Sequence, residues 1–222
     1  MKKTQAFTLI ELLVVISIIA ILAGFAMPVL SRAIERGRAT ECKNNLQNIG
    51  KGILTYLTDN DDTMFAADKE PWPTLLHGKY VKDWKAFRSP FDKITKDRPK
   101  GDNAPVPVSY GINKNVLEPK DAKASFIGRW VNSGSAVILA APAVDTSSTG
   151  KNVTFAGSAF SDQQVKVTTP TGEHLGTHGA RESVNVLFAD GHVTEMDWSK
   201  YIKNSKDEEK QRWDPMYVAA DK

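Results

Sequence analysis

Apolar residues are spread very unevenly along this chain. Residues 12–30, "LLVVISIIAILAGFAMPVL", are nineteen consecutive positions without a charge, preceded by Glu11 and followed by Ser31 and then Arg32. A helix needs roughly 20 such residues to cross a bilayer. The helical pattern then continues at lower density. Leu30, Ile34, Cys42, Leu46, Ile49, Ile53 and Leu57 recur mainly at three- and four-residue steps, with Arg32, Arg36, Arg38, Lys43, Asn45 and Lys51 between them. That is one apolar stripe on an amphipathic helix, and it is expected to pack on a soluble domain. A helix from about Phe7 to Thr58 would be about 78 Å long at 1.5 Å per residue. Asp59-Asn60-Asp61-Asp62 should end it, because these residues favour turns. Gly24, Gly37, Gly50 and Gly52 each weaken a helix by about 1 kcal/mol relative to Ala. Pro28 lacks an amide hydrogen, so a kink or melted turn is expected near residues 24–28.

Beyond residue 62 the pattern shortens. "PWPTLLHGKYV" suggests a short helical turn, and "KITKDRPKGDNAPVP" reads as a surface loop. "SAVILAAPA" is a short apolar run between Gly134 and Pro142, the mark of a buried strand. "SVNVLFADGHVTEMDW" is the clearest local signal. Val184, Val186 and Phe188 alternate, Asp190-Gly191 follows, and residues 193–198 form the return strand. Asp-Gly between such runs predicts a hairpin with a type I′ turn, positive φ at both central residues. One long helix followed by strands gives α+β.

Composition changes this picture little. The 222 residues suffice for one domain with an appendage. Net charge is +3, two units of which come from Lys2 and Lys3, so no electrostatic case for nucleic-acid binding exists. Cys42 is the only cysteine, which excludes an intramolecular disulfide. It lies on the apolar stripe and reads as a small core residue.

Three readings compete for the N-terminus. A secretory signal peptide, cut near Gly24-Phe25-Ala26, would have too long an apolar core and an untypical Glu11. A plain membrane anchor explains the length but leaves Glu11 and Pro28 as costs without a purpose. The third follows from resemblance. "AFTLIELLVVISIIAIL" resembles the N-terminus of type IV prepilins and type II secretion pseudopilins, with Ala6 where that family usually has Gly. The resemblance implies a leader at 1–6, cleavage between Ala6 and Phe7, N-methylation of Phe7, and assembly roles for Glu11 and Pro28. It divides the chain into 1–6 leader, 7–30 transmembrane and filament-core helix, 31–58 amphipathic continuation, and 59–222 globular α+β domain of pilin-like architecture. Further along, "KDWKAFRSPFDK" is similar to a pseudopilin stretch with Phe-x-Cys-Pro, Ser89 standing in place of the Cys. "PVSYGINKN" resembles a Ser-Tyr-Gly-x-Asn stretch of pilin-like families. The pair His178 and Asp190-Gly191 resembles a His…Asp-Gly motif of a pilin-like group, with eleven intervening residues where nine are usual.

The family resemblance implies a structural filament subunit rather than an enzyme. Its partners would be copies of itself, other pilin-like subunits, the prepilin peptidase, the inner-membrane assembly platform and membrane lipid. Its place would be the cytoplasmic membrane, single-pass, N-terminus inside and globular domain periplasmic or extracellular. The competing class is a periplasmic binding module on a permanent single-pass anchor. A metal hydrolase is a distant third. His174, His178 and His192 fall within nineteen residues, and His174 and His178 would share a helix face for zinc. Gly172, Gly176 and Gly179 argue against a helix there, so loop histidines bonded to backbone or water are the expectation. Asp59 and Asp61 alternate like the start of a calcium loop but lack its Gly and terminal Glu. Secretion pseudopilins often bind calcium in a loop of the C-terminal sheet, so the resemblance leaves a calcium site elsewhere open, with no ligands assigned in this sequence. No cofactor is expected, and no nucleophile elbow, phosphate loop or dinucleotide fingerprint is present.

Overall fold

The computed structural model describes residues 8–65, 72–91, 110–117, 134–142, 159–160, 183–197 and Met216. Helix α1 runs Leu9–Asp59 without interruption. The expected melted turn near residues 24–28 is absent, and Pro28 sits inside the helix. One missing donor removes a single rung of the ladder, and the rungs on either side hold the helical path. At its end the Asp-rich segment acts as expected. Asn60 N and Asp62 N both donate to Leu57 O, and Asp61 and Asp62 turn the chain with φ of 52° and 56°. Asp is among the few residues that tolerate this left-handed region.

The chain forms two units, Met1–Gly37 and Arg38–Lys222. In the second unit, the strands are β1 (Tyr110–Asn113), β2 (Ile138–Pro142), β3 (Ala159–Phe160), β4 (Ser183–Phe188) and β5 (Val193–Asp197). Their order in the sheet is β3-β1-β2-β4-β5. The β1-β2, β2-β4 and β4-β5 pairs are antiparallel, and the two-residue β3 pairs parallel to β1. Helices α2 (Trp72–Leu76) and α3 (Lys114–Leu117) and a 3₁₀ turn at Trp84–Phe87 complete the described elements. The short turn expected in "PWPTLLHGKYV" is α2, and the apolar run expected to be a strand is β2, buried along its whole length.

The core joins Cys42, Leu46, Ile49, Ile53 and Leu57 of α1 to Phe87, Tyr110, Ile112, Leu139, Leu187 and Val193. The predicted stripe is therefore right from Cys42 onward and wrong before it. Cys42 is 0% exposed, whereas Leu30 and Ile34 are 55% and 49% exposed. Those two belong to the first unit, whose large apolar side chains among the described residues are about half or more exposed. Two glycines that looked only like weak points in the helix are close-approach positions. A Cβ on Gly50 would stand 2.7 Å from Leu187 Cδ1, and one on Gly52 would stand 2.6 Å from Val81 Cγ2. Without side chains there, α1 lies tight on β4 and on the segment after α2.

The hairpin is present, with β4 and β5 paired from Ser183↔Asp197 to Leu187↔Val193. Its turn is not type I′. Gly191 N donates to Phe188 O and Phe188 N donates to His192 O, while only Gly191, at φ 90°, has positive φ. The loop is thus Ala189-Asp190-Gly191, a turn of the type I kind closed by a glycine bulge. Ala189 N and Asp190 N donate to Val137 O and Gly134 O, which ties the turn to the segment leading into β2. These bonds hold the two residues in a conformation that type I′ would not allow.

Candidate assembly site at the start of the first helix

Thr8 and Glu11 open α1 in a reciprocal arrangement. Thr8 N and Thr8 Oγ1 donate to Glu11 Oε2 at 2.9 and 2.7 Å, and Glu11 N donates to Thr8 Oγ1 at 3.4 Å. This is a capping box, in which a hydroxyl and a carboxylate three residues apart satisfy the unpaired amides of the first turn. The negative charge also faces the positive end of the helix dipole. The spacing Thr-x-x-Glu before an apolar run was the available sequence signal for Thr8. In the isolated chain, then, Glu11 is a local helix cap whose carboxylate already has donors.

Behind this cap, every large apolar side chain from Leu9 to Leu30 is half or more exposed, Val14 and Val15 marginally less. The helix is long and apolar enough to cross a membrane, and none of that stretch is buried within the chain. The hydroxyls inside it are internally satisfied. Ser17 Oγ donates to Leu13 O at 2.8 Å and Ser31 Oγ donates to Met27 O at 3.1 Å. Backbone carbonyls four residues back take up the polar groups that lipid could not.

Residues 1–27 match the prokaryotic N-terminal methylation motif. That motif is the type IV pilin and pseudopilin signature. It marks a family of structural, pilin-type proteins rather than an enzyme family. It spans the capping box and most of the exposed apolar stretch. No curated protein and no solved structure matches the chain. With the signature at its start, this N-terminal apolar helix is of the kind that anchors pilins in a membrane. The long helix packed on a mainly antiparallel sheet is an α+β, pilin-like fold.

The other candidate residues are distributed elsewhere. Ala6, Phe7, His174 and His178 lie outside the described residues. His192 belongs to the hairpin turn. Its ring stacks on Phe188 at 4.4 Å between centroids, and its Nδ1 meets Asp190 Oδ1. Asp190 Oδ1 also accepts from His192 N at 3.0 Å. Partial burial opposes ionisation of Asp190, but the His192 amide and ring outweigh it and hold the carboxyl below its ordinary range. Among the described residues no group of three His, Cys, Asp or Glu side chains could hold a metal. Asp59 is engaged rather than open to calcium. Lys79 Nζ lies 2.8 Å from its Oδ2 and Tyr80 OH donates to the same oxygen at 3.1 Å. The Lys79 ammonium, helped by Tyr80, holds the Asp59 carboxyl below the usual carboxylate range.

Cys42 is the small core residue expected, yet its neighbours are polar. Tyr110 OH donates to Cys42 Sγ at 3.5 Å, and the Ser89 and Asn185 side chains lie beside the thiol. Asn185 Nδ2 donates to Ala39 O at 2.8 Å, and Asn45 Nδ2 donates to Arg88 O at 3.0 Å. Burial pushes both the Cys42 thiol and the Tyr110 phenol up, so each stays neutral. β1, β4 and the segment after the 3₁₀ turn are thereby bonded to two successive turns of α1. Sequence reading passed over Asn185 and quoted Tyr110 only within "PVSYGINKN", because a polar residue in a strand carries no sign of which partner will meet it.

Proposed function

We propose that this chain is a structural subunit of a type II secretion pseudopilus or a type IV pilus-like filament. The observation that carries the reading is the coincidence of the methylation motif with a carboxylate capping a helix whose next twenty residues are charge-free and whose large apolar side chains there are about half or more exposed. In this reading prepilin peptidase cuts between Ala6 and Phe7 on the cytoplasmic side and Phe7 is N-methylated. The precursor stands in the cytoplasmic membrane with its globular domain periplasmic or extracellular, and the assembly platform draws it into a helical filament. Residues 7–30, Pro28 included, then leave lipid and pack against the same segment of other subunits.

Glu11 explains why a carboxylate is tolerated there. In a single subunit it remains near the interface, where its cost is lower than at mid-bilayer, and Thr8 supplies its donors. In a filament, water is excluded around the packed helices. A carboxylate facing the cleaved α-amino group of a neighbour's first residue gains a charge-assisted bond there, whereas an unpaired one would cost several kcal/mol. The pair fixes axial register, since a subunit displaced by one turn leaves both charges unmatched.

Intact mass spectrometry of the protein extracted from membranes tests this. The expected mass lacks residues 1–6 and carries one added methyl. A mass retaining the leader would instead identify a permanently anchored binding module, and a cut after Ala26 would identify a secreted protein.

A further inference from the structure

Glu11 and Arg32 bound the longest charge-free interval of the chain, and residues 12–31 between them are twenty positions. At about 1.5 Å per helical residue this interval spans roughly 30 Å, the thickness of a bilayer's hydrocarbon core. With Glu11 at one interface, the first turn past the other interface carries Arg32 and Arg36. They lie four residues apart on an unbroken helix, so they share a face, and both are exposed. Among the described residues Arg32 has no hydrogen-bond or ion-pair partner. Glu35, half-exposed, is the only acidic residue in the segment 31–38, against Arg32, Arg36 and Arg38.

A pair of guanidinium groups at headgroup depth meets phosphate oxygens at short range, and arginine is the side chain best shaped to hold them through paired hydrogen bonds. Plain hydration would satisfy a lysine or glutamine equally well. We infer that Arg32 and Arg36 form a docking face for anionic phospholipid headgroups at the membrane surface remote from Glu11. The face holds the unassembled subunit at one depth, so that its apolar interval matches the hydrocarbon layer. The inference rests on the reading of residues 12–31 as a membrane span, and the experiment separates the two.

The full chain is reconstituted into phosphatidylcholine vesicles containing trace spin-labelled phosphatidylglycerol or trace spin-labelled phosphatidylcholine. The motionally restricted fraction of each label is read by electron paramagnetic resonance. Phosphatidylglycerol should be preferred several-fold, with about fivefold per engaged arginine as the upper scale. Arg32→Gln with Arg36→Gln should bring the ratio to about one. Arg32→Lys with Arg36→Lys should keep only part of the preference, and raised salt should reduce it. An unchanged ratio in the glutamine variant would place the preference elsewhere in the chain and overturn the proposal. So would a wild-type ratio of one. If phosphatidylcholine itself shows no restricted fraction, the membrane-span reading fails and the proposal with it.

Discussion

At the residue scale, Thr8, Glu11 and Gly191 show how position sets what a side chain can do. Glu11 caps only the first turn of a 51-residue helix, so its removal should loosen that turn without preventing the helix from forming or entering lipid. Glu11→Val is expected to leave membrane insertion and leader cleavage intact and to abolish or strongly reduce incorporation into filaments. A shear assay of filament content, beside an immunoblot for the cleaved form, measures both. Wild-type assembly by this variant would remove Glu11 from the account of register. Gly191 is constrained by its backbone. At φ 90° a β-branched side chain is strained, and its Cβ would also stand 2.7 Å from Leu54 Cδ1. Gly191→Val should lower stability by about 1–3 kcal/mol, and Gly191→Asn by less, because Asn tolerates positive φ. Thermal unfolding of the detergent-solubilised chain would show it, and unchanged unfolding of the valine variant would contradict the bulged turn.

At the scale of elements, the long helix and the hairpin were legible because their signals are local. A membrane-length apolar run, a three-to-four-residue stripe and an Asp-Gly step each act within one element. The turn type was not legible. Type I′ and the bulged three-residue loop share the same Asp-Gly, and the choice is made by Val137 O and Gly134 O, which come from another strand's approach. The end of the buried stripe was hidden for a similar reason, since Leu30 and Ile34 keep the helical spacing after the sheet has ceased to cover it. Gly50 and Gly52 read as weaknesses because a sequence displays the missing side chain and not the neighbour that needs the space. The hairpin also carries a pH dependence. The Asp190 carboxyl is held below its ordinary value by His192, so its stabilisation is complete above the unfolded pKa and is lost as pH falls through the folded one. The stability gap between wild type and Asp190→Asn should therefore shrink between about pH 5 and about pH 3. It will be small, because the side chain is 40% exposed and solvent screens it. Unfolding curves of both proteins across that range would reveal a gap that stays constant if the carboxylate contributes nothing.

At the scale of the whole molecule, the two units treat their apolar side chains differently. The first unit leaves its apolar side chains to be covered from outside, while the second buries its own core around one face of α1. The methylation signature accounts for the first unit, and the second unit's sheet and polar cluster are what a signature confined to residues 1–27 does not describe. The sole thiol of the chain lies at 0% exposure where α1 meets β1 and β4, shut behind Tyr110, Ser89 and Asn185. That makes Cys42 a clock. A maleimide too large to slip between packed side chains can react only when the helix lifts from the sheet, so the labelling rate counts those openings. Tyr110→Phe and Asn185→Ala should both quicken the clock, and equal rates in the native and denatured chain would mean that the thiol is never shut in.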